Sequence, residues 1–223
     1  MQVHEAVATR LSVRAFLPDP VPGDVIRRVL ERAARAPSGG NVQPWHIDVL
    51  AGEPLADFRT RMQSALAQGA PTEPMDYDIY PQGLSSPWRE RRFGVGEAMY
   101  EKLGIPRSDK PARLRWLARN YDFFGAPMAL FCSVDRQMGP PQWSDLGMYL
   151  QTVMLLLREE GLDSCAQEAW ARYPRTVADT LQLPPERMLF CGMAIGKRDP
   201  AHPVNSLVAD RAPIEETVHF RGV

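Results

Sequence analysis

Apolar positions along this chain follow two periods, and they divide it into helices and strands. Val25, Ile26, Val29, Leu30, Ala33 and Ala34 recur at helical spacing after Pro22-Gly23-Asp24, predicting a helix whose exposed N–H groups Asp24 can cap. Shorter or weaker helical patterns cover Gln2–Thr9, Leu55–Leu66, Trp88–Leu103, Pro111–Asp122 and Pro174–Leu181. Trp143 to Glu160 is the strongest helix, and Leu146, Tyr149, Leu150, Val153, Met154, Leu156 and Leu157 cover nearly every side of it. A helix apolar all round needs burial all round, so it is expected at the centre of a domain, at a dimer interface, or both. His46–Leu50 alternates, and Met128–Val134 and Met188–Ile195 are continuous apolar runs, so all three are expected strands. Ile214–Phe220, rich in β-branched residues, is a candidate strand for a partner's sheet.

The polar interruptions are as informative. Gly69 to Pro87 holds Pro71, Pro74, Pro81 and Gly83 and predicts an irregular excursion, with the region 69–107 as a lid or a surface insertion. No linker or repeat divides residues 1–223, which are expected to form a single domain. A net charge of −1 gives no overall field for nucleic acid or an anionic membrane, and no apolar run is long enough to span a bilayer. Cys132, Cys165 and Cys191 are odd in number and widely spaced, which argues against a disulfide framework. Together with an N-terminus that lacks a signal-peptide core, this points to a reducing cytoplasm. His4, His46, His202 and His219 lack metal-ligand spacing, and no Gly-x-Ser-x-Gly or Gly-x-Gly-x-x-Gly turn occurs.

Two segments carry candidate chemistry. Arg10, Ser12 and Arg14 alternate, so extended backbone would turn two guanidinium forks and a hydroxyl to one face, a small cradle for phosphate. Pro37-Ser38-Gly39-Gly40-Asn41-Val42-Gln43-Pro44-Trp45 follows the second helix. Its glycines permit close approach of a ligand to the main chain, and Asn41 and Gln43 each offer a donor and an acceptor. Those groups suit the edge of a ring that alternates C=O and N–H. A flat, phosphorylated ligand is expected, and flavin mononucleotide (FMN) fits best.

The same residues resemble the nitroreductase family of flavoenzymes, and the resemblance spans nearly the whole chain. Gly161-Leu162-Asp163-Ser164-Cys165-Ala166-Gln167-Glu168-Ala169-Trp170 is similar to the family's loop past the reactive flavin nitrogen, and Gly192-Met193-Ala194-Ile195-Gly196 to its last core strand. Asp210-Arg211-Ala212-Pro213 resembles the late arginine that returns to the phosphate. Arg91-Arg92, Tyr100, Gly104-Ile105 and Phe123-Phe124-Gly125-Ala126-Pro127 look most like the nitrobenzoate and nitrophenol reductase branch.

The resemblance implies an α+β fold, a three-layer α/β/α sandwich on a mixed, mostly antiparallel sheet, built as an intertwined homodimer. It implies bound FMN, with Arg10, Ser12, Arg14 and Arg211 on the phosphate. Pro37, Ser38, Gly39 and Asn41 would meet the ring and ribityl chain from the opposite subunit. Ala166 and the backbone of Gln167 and Glu168 would lie near the flavin N5, with Gly192 and Gly196 also at the cofactor. Phe123 and Phe124 would wall an aromatic acceptor pocket or pack in the core. NADPH or NADH would reduce the flavin and a small nitroaromatic acceptor would reoxidise it in a ping-pong sequence. Quinones, halogenated phenols or free flavin are alternative acceptors, and a flavin-binding protein without turnover is a further alternative. Where some relatives carry a lysine two residues before the late arginine, this chain has Ala209; Lys197 and Arg198 are the candidate replacements, with a solvent-facing role as their alternative.

Overall fold

The computed structural model describes residues 1–69 and 72–223; the predicted turn residue Pro71 lies outside them. Helices α1 (Val3–Thr9) and α2 (Gly23–Ala33) open the chain, followed by strand β1 (His46–Ala51) and helix α3 (Gly52–Ala67). Helices α4 (Trp88–Lys102) and α5 (Lys110–Ala118) precede strand β2 (Met128–Asp135) and the long helix α6 (Pro140–Glu159). Strand β3 (Asp163–Gln167), helix α7 (Pro174–Leu181) and strand β4 (Arg187–Gly196) complete the frame. The sheet order is β1-β2-β4-β3, and every neighbouring pair is antiparallel. A parallel contribution comes from the bridge between Ser12 and Ser164.

Alternation along β2 and β4 builds a core on each face of the sheet. Met128, Leu130, Cys132 and Val134 join Met193 and Ile195 beneath α2 and α6. Ala129 and Phe131 join Ala194 and Leu189 beneath α3, α7 and the segment 121–126. The register shifts between Cys132, opposite Cys191, and Ser133, opposite Leu189, which leaves Phe190 as the extra residue of a bulge. The hydroxyl of Tyr77 donates to the Phe190 carbonyl that the bulge turns out of the ladder. Three further anchors hold this part of the 69–107 excursion. Glu73 N–H donates to the Arg172 carbonyl, the Glu73 carboxylate accepts from Arg175 N–H and Thr176, and Asp76 pairs with Arg136 at 2.7 Å.

Several expectations need correction. Asp24 does not cap α2; it lies in the first turn and pairs with Arg28 at 2.6 Å. The helix expected to reach Asp122 ends at Ala118, and a 3-10 segment Arg119–Gly125 follows, kinked where Phe123 and Phe124 adopt φ of 55° and 54°. Residues 163–167, read as part of a loop, form β3. Ile214–Phe220 is a 3-10 turn over Ile214–Glu216 followed by exposed, irregular chain. Helix α6 is buried along Leu146, Leu150, Val153 and Leu157, while Met148 on its other side keeps 38% of its surface. Among the described residues no helix is long and apolar enough to cross a membrane.

Candidate cofactor site

A groove of about 400 Å³ opens where α1, α6 and the C-terminal segment meet, lined by Arg10, Ser12, Arg14, Gln151, Ala209 and Arg211, with Val95 of α4 at its edge. It therefore gathers cations from both ends of the chain. Among the described residues none of the three arginines has a carboxylate partner; Arg14 donates to the Ser12 carbonyl at 3.2 Å and Arg211 to the carbonyls of Ala209 and Asp210 at 2.9 Å. Unpaired guanidinium groups held close together repel, and a phosphate placed among them relieves that cost while accepting several charge-assisted hydrogen bonds.

Buried polar side chains fix this arrangement. Val13 N–H donates to the Ser164 carbonyl at 3.1 Å, tying the arginine segment to β3. The Asn205 carboxamide accepts from Arg14 N–H at 2.9 Å and donates to the carbonyls of Ala15 (2.8 Å) and Asp199 (2.9 Å). Asn205 thereby sets the path of the chain just before Leu207–Arg211. Asp163, at the start of β3, binds Arg158 and Arg198. Composition and spacing signalled neither Asn205 nor Asp163, because the partners that give each its place, Arg14 and Ala15 for Asn205 and Arg198 for Asp163, are distant in sequence. Arg198 is thus committed to Asp163, and Lys197 lies 3.6 Å from Asp19, so neither replaces the lysine missing at Ala209.

From the groove, β3 leads toward a second group of predicted residues. Ala166 and Glu168 are exposed, while the Gln167 side chain is 2% exposed and donates to the Asn120 carbonyl at 2.8 Å. That leaves the backbone of Gln167, rather than its side chain, for a cofactor. Ser164 and Ala166 occupy alternate positions of β3, Ser164 buried and Ala166 exposed, and the chain leaves the strand after Gln167. Glu168 begins the 3-10 turn Glu168–Arg172, whose leading N–H groups have no acceptor within the turn. Partial desolvation by surrounding protein atoms raises the Glu168 carboxyl from its ordinary pKa. Burial raises the Cys165 thiol despite the opposing fields of Arg14 and Arg10, so Cys165 is a packing residue and not a nucleophile.

The Pro37–Gln43 loop stands apart from the groove on the same chain. Asn41 and Gln43 hold φ of 57° and 52°, Ser38 Oγ accepts from Gln43 N–H at 3.0 Å, and Gly39 N–H donates to both oxygens of buried Asp145 at 3.3 Å. Pro37, Gly39 and Asn41 remain exposed, with Ser38 half-buried. Asp145 of α6 thus fixes the shape of an exposed loop.

Four predicted site residues serve packing instead. Phe123 and Phe124 are 0% and 2% exposed within the core, leaving no face for an acceptor pocket. A Cβ on Gly192 would lie 2.4 Å from Trp170, and one on Gly196 would lie 2.6 Å from Pro127. Both glycines are needed because side chains already fill that space. A second groove of about 300 Å³, between Arg136, Arg175 and Arg187, contains none of the predicted residues.

Comparison with known proteins adds to this geometry. The description "Nitroreductase family" matches residues 7–197. A 4-nitrobenzoate reductase of Nocardioides sp. (strain LMS-CY) is 38% identical over 96% of this chain and 87% of its own. A 4-nitrobenzoate reductase of Pseudomonas putida is 37% identical over 97% of this chain and 94% of its own. The crystal structure of the FMN and NADPH-dependent nitroreductase NfnB from Sphigopyxis sp. strain HMH aligns with a TM-score of 0.96 at 47% identity, over the whole of both chains. The FMN-dependent nitroreductase NfnB from Mycobacterium smegmatis, solved in complex with NADPH, aligns with a TM-score of 0.90 at 32% identity, over 99% of this chain and 100% of its own.

Proposed function

The chain belongs to the nitroreductase family, and from that premise we propose that it is an FMN-dependent oxidoreductase using NAD(P)H to reduce nitroaromatic compounds. The observation that carries this reading is the groove in which Arg10, Arg14 and Arg211 converge with Ser12 and without a counter-charge. These residues fit a phosphate and would hold that end of FMN. Ala166 and the backbone of Gln167 and Glu168 would lie along the ring, and an N–H aimed at a nitrogen that gains charge stabilises it. FMN, when bound, supplies hydride acceptance from NAD(P)H and hydride delivery to the acceptor.

The protein acts as a homodimer in this proposal, with residues 1–223 as one FMN-binding domain. Pro37, Ser38, Gly39 and Asn41 reach the flavin of the partner subunit, consistent with their exposure away from the groove of their own chain. The exposed side of α6 and the tail Ile214–Phe220 are the surfaces for that association. Part of the 69–107 excursion serves as the acceptor-side cover. The acceptor is a small aromatic molecule, neither nucleic acid nor membrane is a partner, and the reducing cytoplasm suits three buried free thiols.

The test is a visible spectrum of the purified protein followed by anaerobic addition of NADPH or NADH. The proposal expects a yellow protein that bleaches and regains colour with 4-nitrobenzoate or nitrobenzene, faster than with a quinone or free flavin. Colourless, well-folded protein that refuses added FMN refutes the cofactor assignment. Persistent colour after reductant indicates a passive flavin binder, and a preference for quinone or free flavin moves the acceptor assignment.

A further inference from the structure

Asp163 is 3% exposed and opens β3. Its carboxylate accepts from Arg158 Nη1 at 2.8 Å, from Arg198 Nε at 2.8 Å, and from Arg198 Nη2. Both arginines also reach Thr9, the last residue of α1. Arg198 Nη2 donates to the Thr9 carbonyl at 3.1 Å, and Arg158 Nε lies 3.4 Å from Thr9 Oγ1. The Thr9 carbonyl is among those a helix end leaves without an internal partner, and a cation there is also favoured by the helix dipole. The next residue in the chain is Arg10 of the groove.

We infer that Asp163 is a positioning residue for the phosphate grip: through Arg198 and Arg158 it pins Thr9, and so holds Arg10 beside Ser12 and Arg14. The inference rests on the FMN assignment above. Consecutive residues of one strand secure both ends of the short arginine segment. Asp163 holds Thr9 through its arginines, while Ser164 holds Ser12 and Val13 through the main chain. Arg10 and Leu11 lie between the two pins. A buried ion pair adds little net stability compared with apolar packing, but two guanidinium forks sharing one carboxylate fix direction.

An electrostatic role and a positioning role predict opposite signs. Two arginines and one aspartate leave the cluster with a single positive charge. Asp163→Asn raises that charge and, acting through the field alone, would tighten phosphate binding. Loss of the pin frees Thr9 and Arg10 and weakens it. Riboflavin, which has the same ring and ribityl chain but no phosphate, separates this effect from general damage.

The experiment measures FMN and riboflavin affinity by flavin fluorescence on the full-length wild type, Asp163→Asn and Arg198→Lys. Circular dichroism checks that each variant is folded. Arg198→Lys keeps the charge but loses the fork, and it carries the test alone should Asp163→Asn fail to fold. FMN affinity is expected to fall about tenfold in Asp163→Asn, the scale of one charge-assisted hydrogen bond, and less in Arg198→Lys. Riboflavin affinity stays within about twofold, so the preference for FMN shrinks. Parallel weakening of both flavins shows a merely structural role and overturns the inference, as does unchanged or tighter FMN binding. A wild type that binds neither flavin overturns the proposed function and this inference with it. Parallel loss in the variants of a wild type that prefers FMN overturns this inference alone.

Discussion

Gly192→Ala tests the packing beneath the cofactor turn. The added Cβ would sit 2.4 Å from Trp170 Cδ1, 2.8 Å from Nε1 and 3.2 Å from Cγ. Carbon atoms pack at about 3.5–4.0 Å, so the indole must retreat by about 1 Å. It has nowhere to go. Trp170 is fully buried, stacked on Phe123 at 4.7 Å, with Phe131 at 5.2 Å and Phe58 and Tyr121 at 5.3 Å. Overpacking of this kind costs about 1–3 kcal/mol. For a chain of this length each kcal/mol lowers Tm by about 2–4 °C, so a fall of about 2–12 °C is expected. Thermal unfolding followed by near-ultraviolet circular dichroism measures it, because the same signal reports the aromatic cluster. Gly94→Ala in α4 is the control: its Cβ meets nothing within 4 Å, and the gain in helix propensity of about 0.5–1 kcal/mol raises Tm. A Gly192→Ala protein with Tm within about 1 °C of wild type and an unchanged aromatic spectrum would refute the argument.

Four further outcomes follow from the site. Arg211→Ala removes one guanidinium from the groove and is expected to weaken FMN binding about tenfold or more, with riboflavin unaffected; equal loss of both would place Arg211 outside the phosphate grip. Asn205→Ala strands Arg14 N–H and the Asp199 carbonyl, while the Ala15 carbonyl keeps Asp199 N–H, and should lower stability by about 2–4 kcal/mol, read as an earlier urea midpoint at unchanged m-value. The raised pKa of Glu168 means the folded protein holds that proton more tightly than the unfolded chain, so ionisation destabilises the fold. The penalty is absent below the ordinary carboxylate range and grows as pH rises toward the raised value; Glu168→Gln should melt higher than wild type at pH about 7.5, with the difference closing near pH about 4, and a gain that persists at acid pH contradicts the assignment. Burial raises the pKa of Cys132, Cys165 and Cys191, so a thiol reagent at mildly alkaline pH should label none of them in the native protein and all of them after denaturation.

The sequence was legible where the signal was local. Pro174–Leu181 is found at its expected bounds, and α2, α3, α4 and α6 fall within a few residues of theirs, because amphipathic spacing and turn residues act over short range. Strand β3 was missed because Asp163, Ser164, Cys165, Ala166 and Gln167 carry neither an apolar run nor β-branched residues. Their strand character comes from tertiary pairing, with β4 on one side and the Ser12–Ser164 bridge on the other. The end of α5 was misplaced for a related reason. Tyr121, Phe123 and Phe124 are buried in a tertiary core that compensates the positive φ of both phenylalanines, and no helical pattern foretells such an exchange.

The site divides along the same line. Arg10, Ser12 and Arg14 announce a common face through their spacing, and Arg211 becomes their partner through resemblance; the fold brings all four into one groove. Asp163, Asn205 and Asp145 have no such signature. Each is a lone polar residue whose meaning depends on what distant chain lies against it: Thr9 through two arginines, the Arg14 main chain, and Gly39 N–H. Groups that would touch a ligand are legible because ligand chemistry restricts residue type. Groups that aim them are not, because any donor or acceptor in the right place suffices. It follows that changes at Asp163 or Asn205 alter how well the arginines converge without altering how many there are, which is why binding of a phosphorylated flavin against its dephosphorylated form is the measurement that sees them.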